Sequence, residues 1–395
     1  MLAVYLSPLY ILVNVYIVRR LLGWMGACCG ASPRCFLRLA AALAYTCVAL
    51  TPLIGFLLPA GQGKRFFTSF GYYWMGVLLY GILFLAALEL VRLIRYLAGK
   101  RQPPCRRLKV LAGAAVLSLT AAVSLWGIVN ARIIHTTDYA VTVDKEAGAL
   151  QDLKIVLTAD LHLGYNIGSS QMEQMVEKIN REEPDLVVIA GDIFDNEYEA
   201  LKDPEELIRI LKGISSRYGV YACYGNHDID EKILSGFTFD RSGDRKESDP
   251  RMDAFLEEAG IILLHDEGVL IDDSFYLFGR ADAGKPGRGI EKRLSPEEIT
   301  EGLDPDKPLI VLDHEPSQLS ELAAAGVDVD LGGHTHDGQV FPVDIVMEFL
   351  WENPCGYLKK GQMHSIVTSG AGLFGPNMRV GTKAEICVVD VQFAP

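Results

Sequence analysis

Residues 154–162 have the sequence KIVLTADLH, a short apolar run followed directly by an acid and a histidine. The run Lys154–Thr158 is rich in aliphatic and β-branched residues, which is typical of a buried strand. Side chains two positions apart on an extended chain face the same side, so we expect Asp160 and His162 to project together from the strand end. The stretch therefore predicts a sheet with metal-binding residue types at its edge.

Four further apolar runs end in the same way. They are Leu186–Ala190 before Asp192, Val220–Tyr224 before Asn226 and His227, Leu309–Leu312 before His314, and Val327–Leu331 before His334 and His336. Amphipathic segments at Met172–Arg181 and Glu205–Ile214 predict helices between the strands, and this alternation predicts an α/β layered fold. Because ligands gather outside the carboxyl ends of strands in such sheets, we expect all five strand ends to meet at one crevice.

The donors at these strand ends are carboxylates, imidazoles and one amide. Such a set suits borderline divalent ions such as Mn²⁺, Fe²⁺ or Zn²⁺. Asp192 follows Gly191 at a tight turn, where either carboxylate oxygen could face an ion. Two ions about 3.5–4 Å apart could share this carboxylate, and that spacing is the one used for in-line displacement at phosphorus. The residue types are therefore compatible with a two-metal site of this kind.

Five short motifs in a fixed order carry a resemblance to a known family. They are DxH at 160–162, GDxxD at 191–195, GNHD at 225–228, a lone His314, and GHTH at 333–336. On these motifs, residues 154–389 resemble the calcineurin-like metallophosphoesterase superfamily, and most of all its membrane-anchored bacterial branch. The resemblance implies a sandwich of two β-sheets flanked by helices, and hydrolysis of phosphate esters. One departure is Asp337, which stands where the family usually has glycine.

The resemblance also assigns roles to individual residues. It implies a first metal ion bound by Asp160, His162, Asp192 and His336. It implies a second ion bound by Asp192, Asn226, His314 and His334, with a hydroxide held between the two ions as the nucleophile. His227 would then donate a proton to the leaving oxygen or stabilise the transition state, and Asp228 would orient His227. Asp195 would brace the turn at Asp192 or a ligand histidine.

The first third of the chain is predicted to cross a membrane. Four apolar runs approach the roughly 20 residues that a helix needs to span a bilayer. These runs are Leu2–Val18, Leu39–Leu58, Tyr72–Leu90 and Val110–Ile128. The first is also compatible with a signal-peptide core, but it has no basic residue before it. We therefore expect an all-α transmembrane region of about four helices at residues 1–134, followed by a metallophosphoesterase domain at 135–395.

Charge divides the chain at the same place. Residues 1–134 contain 14 Lys and Arg residues and one acid, Glu89, whereas the remainder contains 23 basic and 49 acidic residues. The basic residues concentrate in the first and third loops between the apolar runs, which the positive-inside rule places in the cytoplasm. This topology predicts an extracytoplasmic catalytic domain on a multi-pass membrane protein. The acidic excess of the domain argues against long nucleic acid as a partner, because such binding depends on neutralising phosphates.

The sequence favours hydrolysis of a phosphomonoester or phosphodiester. The predicted spans keep the site close to a bilayer, which favours a lipid-linked or envelope-derived substrate. One alternative is a catalytically silent membrane sensor or scaffold on the same fold, and another is a nucleotidase or nuclease. A complete set of expected metal ligands speaks against the silent protein.

Overall fold

The computed structural model describes residues 2–29, 35–100, 102–231, 233–234, 237–238 and 248–394. The chain divides into two compact units. The first contains residues 1–129, 233–242 and 375–378, and the second contains residues 130–232, 243–374 and 379–395.

The helices of the described residues are α1 (Leu2–Cys29), α2 (Cys35–Ala49), α3 (Thr51–Leu57), α4 (Gln62–Leu97), α5 (Arg106–Asn130), α6 (Ser169–Arg181), α7 (Pro204–Leu211), α8 (Pro250–Glu258), α9 (Leu319–Ala325) and α10 (Val343–Leu350). Short 3-10 helices cover Tyr198–Ala200, Glu298–Thr300 and His336–Gly338.

The strands are β1 (Ile134–Val143), β2 (Asp152–Thr158), β3 (Leu186–Ala190), β4 (Val220–Cys223), β5 (Ile233–Leu234), β6 (Phe237–Thr238), β7 (Ile261–Leu263), β8 (Glu267–Ile271), β9 (Phe275–Gly279), β10 (Leu309–Leu312), β11 (Val329–Gly332), β12 (Gly356–Lys360), β13 (Met363–Val367) and β14 (Ala384–Phe393). The predicted strand ends agree with these bounds to within one or two residues.

Apolar helices that could cross a membrane dominate the first unit. By length and composition these are Tyr5–Cys29, Gln62–Leu97 and Arg106–Asn130 among the described residues. The helices α2 and α3 meet at a 44° bend and together make a fourth candidate if they form one broken span. The expectation of about four spanning helices is met in that case. Each long helix extends beyond the apolar run from which it was predicted, because helix formation continues into the flanking basic residues.

Polar contacts join the helices of this unit. The Tyr10 hydroxyl donates to the carbonyl of Ala49 at 2.7 Å and ties α1 to α2. The indole of Trp24 donates to the carbonyl of Val110 at 3.0 Å and ties α1 to α5. Arg20 pairs with Glu89 of α4 at 2.6 Å. Where water is scarce, polar groups need partners within the protein, and these contacts provide them.

The second unit is a sandwich of two mixed sheets. One sheet has the strand order β1-β14-β2-β3-β4-β7, and the other has the order β12-β13-β11-β10-β9-β8. Helices α6, α7 and α8 cover the outer face of the first sheet, and α9 covers the second. This is the predicted α/β architecture of two sheets flanked by helices.

Alternation along the strands assigns each side chain to a layer. Ile155 and Leu157 of β2 belong to the core between the sheets, together with Ile310 of β10. Val156, which lies between Ile155 and Leu157, faces the helices instead. The strands of both sheets have apolar surroundings on each face. This explains why β2, β3 and β10 are continuous hydrophobic runs rather than alternating ones.

Parallel pairing brings the functional strand ends together. In the first sheet β2 pairs with β3 and β3 with β4, all in parallel. In the second sheet β10 and β11 are also parallel neighbours. The carboxyl ends of parallel strands lie at the same edge, so the loops that follow these five strands converge there.

Candidate metal centre

The predicted ligands converge in two clusters. Asp160, His162 and His336 place their ligand atoms within 4.8 Å of one another, and Asp192, His314 and His334 form a second such group. Asn226, expected beside the second group, places its amide oxygen 3.0 Å from Nδ1 of His334. Asp192 is within reach of both groups: its Oδ2 lies 3.7 Å from Nε2 of His162 and 3.2 Å from Nε2 of His314.

The backbone conformation at the ligand residues differs from the one that the sequence predicted. Asp160 and His162 were expected on one side of an extended strand end, but β2 ends at Thr158 and both residues have positive φ, 53° and 43°. His334 and His336 also have positive φ, 73° and 53°. The expectation of extended chain was wrong here, because the segment has to turn away from the sheet at this edge. Such conformations are uncommon outside glycine and concentrate at functional sites.

Backbone hydrogen bonds hold the two leading loops side by side. The amide of Asp160 donates to the carbonyl of Gly191 at 2.9 Å, and the amide of His162 donates to the carbonyl of Asp192 at 3.0 Å. Glycine at position 225 leaves space for the same arrangement. A Cβ atom there would lie 2.3 Å from Oδ1 of Asp192. The tight approach of these loops sets the position of Asp192.

The donor set fits divalent cations. Nε2 of His162 lies 3.0 Å from Nε2 of His336, and Nδ1 of His334 lies 3.2 Å from Nε2 of His314. Facing imidazole nitrogens with carboxylates beside them leave lone pairs directed at one another, which a cation would accept. Nδ1 of His162 is also buried without a hydrogen-bond partner among the described residues.

Burial favours the protonation state that binds a metal. It lowers the pKa of His162 and of His334 to about 4, so both rings are neutral near neutral pH. Neutral imidazole is the form that coordinates metal ions. His314 is oriented by its other nitrogen, because Nδ1 donates to the carbonyl of Ala190 at 2.8 Å and leaves Nε2 facing Asp192. A hydrogen bond of this kind fixes the tautomer of a ligand histidine.

His227 lies beside the clusters and is held by a residue that the sequence did not indicate. Its Nδ1 is hydrogen-bonded to Oδ1 of Asn196. The amide group of Asn196 also donates to the carbonyl of Ile229 at 3.3 Å, which orients Oδ1 towards the imidazole. The backbone amide of His227 donates to Oδ1 of Asp192 at 2.8 Å. His227 is thereby fixed relative to the carboxylate that lies between the two clusters.

Asp228 does not orient His227, in contrast to the expectation. Its carboxylate accepts hydrogen bonds from the backbone amides of Gly225 at 2.7 Å and Phe194 at 2.8 Å. Through these two backbone amides the acid closes the GNHD turn. Asp228 therefore supports the loops that carry Asp192 and Asn226.

Asp195 lies near the expected ligand histidine but does not contact it. Its Oδ1 is 3.9 Å from Nδ1 of His162, which is too long for a hydrogen bond. Burial raises the pKa of Asp195 to about 7, with Glu197 and Asp192 adding to the effect. Together with His162 and His227, Asp195 forms a third group of potential ligand atoms. Its bracing role stays a prediction.

Comparison with known proteins identifies the domain. Residues 153–338 match the family model described as calcineurin-like phosphoesterase. The second unit carries a calcineurin-like phosphoesterase domain. The chain is 28% identical to a Bos taurus protein named transmembrane protein with metallophosphoesterase domain, over an alignment that covers 100% of this chain and 89% of that protein. It is also 28% identical to an uncharacterised metallophosphoesterase of Campylobacter jejuni, with 78% of this chain and 76% of that protein covered.

The matched domain and the names of these relatives indicate a hydrolase of phosphate esters, and the clustered His and Asp side chains could bind divalent metal ions. Among solved structures, an NAD nucleotidase of Haemophilus influenzae shares 15% sequence identity at a TM-score of 0.34, over 56% of this chain and 45% of that one. This similarity is too low to bear on the substrate.

Arg379 supports the phosphoesterase site from within the protein. Its side chain is fully buried. Its guanidinium donates to the carbonyls of Ser369 at 2.7 Å, Gly372 at 3.0 Å and His336 at 3.2 Å. Arg379 therefore joins the loop at residues 369–372 to the segment that carries His336.

Two aromatic side chains flank the phosphoesterase site. The Phe374 ring lies 4.5 Å from the ring of His227 and 5.3 Å from that of His162, measured between centroids. Trp351 lies 5.1 Å from His334. Neither was indicated by the sequence, because both come from loops without a ligand motif. They limit the access of water to the rings that they cover.

The departure at Asp337 has a conformational explanation. Its φ is 53°, in the left-handed region where glycine is preferred. Aspartate is one of the few other residues that adopt this conformation readily, because its short polar side chain can bond locally. Aspartate can therefore adopt the left-handed backbone conformation that this loop of the phosphoesterase domain requires at position 337.

Proposed function

We propose that the domain hydrolyses a phosphomonoester or phosphodiester with two divalent ions, Mn²⁺, Fe²⁺ or Zn²⁺. The first would be held by Asp160, His162, Asp192 and His336, and the second by Asp192, Asn226, His314 and His334. The observation that carries the proposal is the position of Asp192. Its Oδ2 lies between the two ligand clusters, within 3.7 Å of a histidine from each.

When bound, the two ions would neutralise phosphate oxygens and lower the pKa of an attacking water. The chain's own residues supply orientation and proton transfer. Asn196 accepts from Nδ1 of His227, so Nε2 is the nitrogen available to the substrate. We assign the role of general acid to the imidazolium form of His227, which carries a second proton on Nε2 and transfers that proton to the leaving oxygen while Nδ1 keeps its own. Phe374 covers the rings of His227 and His162 and keeps bulk water from competing for that proton.

We infer that this chemistry takes place at a membrane, which the apolar helices of the first unit support. We assign residues 1–134 to an anchor and residues 135–395 to the catalytic domain. The basic loops support an orientation with the domain on the extracytoplasmic side. A membrane-held phosphoesterase on that side would meet lipid-linked or envelope-derived phosphate esters.

Fusion reporters after Pro395 test the orientation. Alkaline phosphatase, which is active only outside the cytoplasm, should be active when fused there in bacterial cells. A fluorescent cytoplasmic reporter at the same position should stay dark, and the opposite pair of results would reverse the orientation.

Hydrolysis by the purified full-length chain tests the chemistry. In detergent with Mn²⁺, the wild type should hydrolyse p-nitrophenyl phosphate or bis-p-nitrophenyl phosphate and bind about two ions per chain. Asp192→Ala should lower both metal content and rate, the rate by roughly 10³-fold or more, as expected when electrostatic stabilisation is lost. Asp390→Ala, an exposed acid on β14, is the matched control. A wild type that binds metal no better than Asp192→Ala and turns over nothing would be the silent sensor or scaffold instead.

A further inference from the structure

The helix α10 presents an apolar surface that the described residues leave uncovered. No residue of this helix is buried. Ile345 is 46% exposed, Val346 49%, Phe349 84% and Leu350 66%. Soluble proteins normally bury their large apolar side chains, and a contiguous exposed group of them marks an interaction surface.

These four side chains share one face of the helix. With 3.6 residues per turn, positions 345, 346, 349 and 350 form a continuous stripe. Asp344 and Glu348 lie on the opposite side. The phenyl ring of Phe341, 46% exposed, lies just before the helix. We call Phe341, Ile345, Val346, Phe349 and Leu350 the apolar face of α10.

Both ends of α10 are tied to the metal centre. The 3-10 helix that begins at His336 leads into it, and Phe341 donates from its backbone amide to the carbonyl of Val380 at 2.8 Å. Arg379, the neighbour of Val380, clamps the His336 segment. At the other end Trp351 lies against the ring of His334. A surface that binds the apolar face of α10 is therefore brought next to both ligand clusters.

The same segment contacts the residue at which the last candidate span ends. Asn130 is the final residue of α5. Its side-chain amide donates to the carbonyl of Thr382 at 2.8 Å and to that of Arg379 at 3.2 Å. Residues 379–382 thus touch Asn130 on one side and the start of α10 on the other. Residues 379–382 therefore link α10 to Asn130 within the second unit.

We propose that the apolar face of α10 docks on the lipid bilayer and that the substrate is an amphiphilic phosphate ester drawn from that bilayer. The substrate part of this proposal rests on the proposed phosphoesterase activity, whereas the docking part does not. A lipid with its phosphate at the membrane interface reaches the metal centre without leaving the bilayer. Amphipathic helices insert at this depth by burying their apolar face among the acyl chains.

The charged residues near α10 indicate which kind of lipid surface the helix would bind. Asp344, Glu348 and Glu352 lie on or beside α10, and no basic residue occurs between Phe341 and Glu352. The helix is therefore suited to a zwitterionic surface such as phosphatidylcholine, and attraction to anionic lipid plays no part. Docking driven by apolar burial should persist at high salt, because salt screens only charge interactions.

Photo-crosslinking tests the docking directly. A benzophenone amino acid replaces Phe349 in the full-length chain, which is reconstituted in phosphatidylcholine nanodiscs and irradiated at 0.1 M and about 1 M salt, conditions that differ strongly in screening. We expect a protein–phospholipid adduct of equal yield at both salt concentrations. The control carries the same amino acid at Leu270, which is 43% exposed on β8, and should give little adduct. A crosslink to a second copy, or no adduct at all, overturns the docking.

Paired substrates test the substrate class. Phe349→Ser combined with Leu350→Ser should keep the rate on soluble p-nitrophenyl phosphate within about twofold. The rate on phosphatidic acid in phosphatidylcholine nanodiscs should fall by about tenfold or more, because access depends on apolar burial. Ile262→Ser combined with Leu270→Ser, two exposed apolar residues elsewhere in the domain, should change neither rate.

The outcomes separate the two proposals. The proposal of a lipid substrate is overturned if the Phe349/Leu350 variant and the wild type hydrolyse phosphatidic acid at equal rates. It is also overturned if the wild type hydrolyses only the soluble ester. Either result leaves the proposed phosphoesterase activity intact. A wild type that hydrolyses neither ester removes the proposed function, while the crosslink still decides whether α10 meets the membrane.

Discussion

The imidazole of His227 is hydrogen-bonded through Nδ1 to Oδ1 of Asn196, although an acid, Asp228, is its immediate neighbour in the chain. Because Oδ1 can only accept, Nδ1 carries the proton and Nε2 is left for the substrate. An amide at this position orients the imidazole ring without adding negative charge at the place where the phosphate group of a substrate would bind. The pairing therefore makes Asn196 a positioning residue for His227.

A general-acid role for His227 predicts a dependence on the leaving group. Phenyl phosphate needs a proton on its leaving oxygen more than p-nitrophenyl phosphate does, because nitrophenolate is a stable anion. His227→Ala should lower kcat by about 10²–10³-fold on phenyl phosphate and by much less on p-nitrophenyl phosphate. Asn196→Ala should show the same pattern at about a tenth of the size. Equal losses on both esters would mean that His227 does not donate the proton.

Asp228 is expected to act on stability. Asp228→Asn replaces one acceptor oxygen with a donor that faces the backbone amide of Gly225 or Phe194. An unpaired buried amide costs about 1–3 kcal/mol, so thermal unfolding of the purified chain should shift down by several degrees. The ratio of rates on the two phenyl esters should stay at the wild-type value. A changed ratio with an unchanged Tm would instead show that Asp228 acts through His227.

Gly225 is expected to tolerate no side chain. In Gly225→Ala the new Cβ would lie 2.3 Å from Oδ1 of Asp192, so the carboxylate between the two clusters has to move. A displacement of about 1 Å in a catalytic group can cost 10²-fold in rate, and we expect a loss of that order together with reduced metal content. Gly168→Ala is the matched control, because a Cβ there meets no atom within 4 Å. Similar losses in both variants would show a general effect of removing glycine.

Asp330 predicts a pH dependence of stability. Burial raises its pKa to about 7, and Oδ1 lacks a hydrogen-bond partner among the described residues. An unfolded aspartate titrates near 3.9, so between about pH 4 and 7 the folded chain binds this proton and the unfolded chain does not. The contribution of Asp330 to stability is therefore full below pH 4 and is lost by about 1.4 kcal/mol per pH unit as the pH rises to about 7.

Thermal unfolding of Asp330→Asn checks this sign. The variant should have a higher Tm than wild type at pH 8, and the difference should shrink towards pH 5. Asp390→Asn, on the exposed side of β14, should give the same difference from wild type at both pH values. A variant that loses stability at pH 8 would show that the ionised carboxylate is favourable at this position.

Much of the architecture was predictable from local patterns. The strand at Leu186–Ala190 was predicted with the bounds that the structure has, because five aliphatic residues between Pro184 and Gly191 allow few other conformations. The meeting of Asp160, His162, Asp192 and His336 followed from the same rule applied several times, since polar residues after parallel strands share one edge. Apolar length likewise predicted the helices that could cross a membrane.

The partners of the site residues were not predictable in this way. Asp228 is adjacent to His227 in the chain and Asn196 lies 31 residues before it, yet the fold brings Asn196 to the ring and turns the Asp228 carboxylate to backbone amides. Arg379 reaches His336 from 43 residues further along the chain, and Phe374 covers His227 from a loop without any ligand motif. The spacing of apolar and polar residues along the sequence does not predict such long-range contacts.

Chain-local chemistry was thus enough to specify the strands, the donor atoms and the apolar helices, because each depends on a residue and its near neighbours. Long-range packing specified the rest: the left-handed backbone at Asp160 and His162, the choice of Asn196 as partner of His227, and the attachment of α10 beside the metal centre. The physical reason is that these features arise where separate segments compete for one small space. The outcome there depends on the shape of the whole domain, which no single stretch of residues contains.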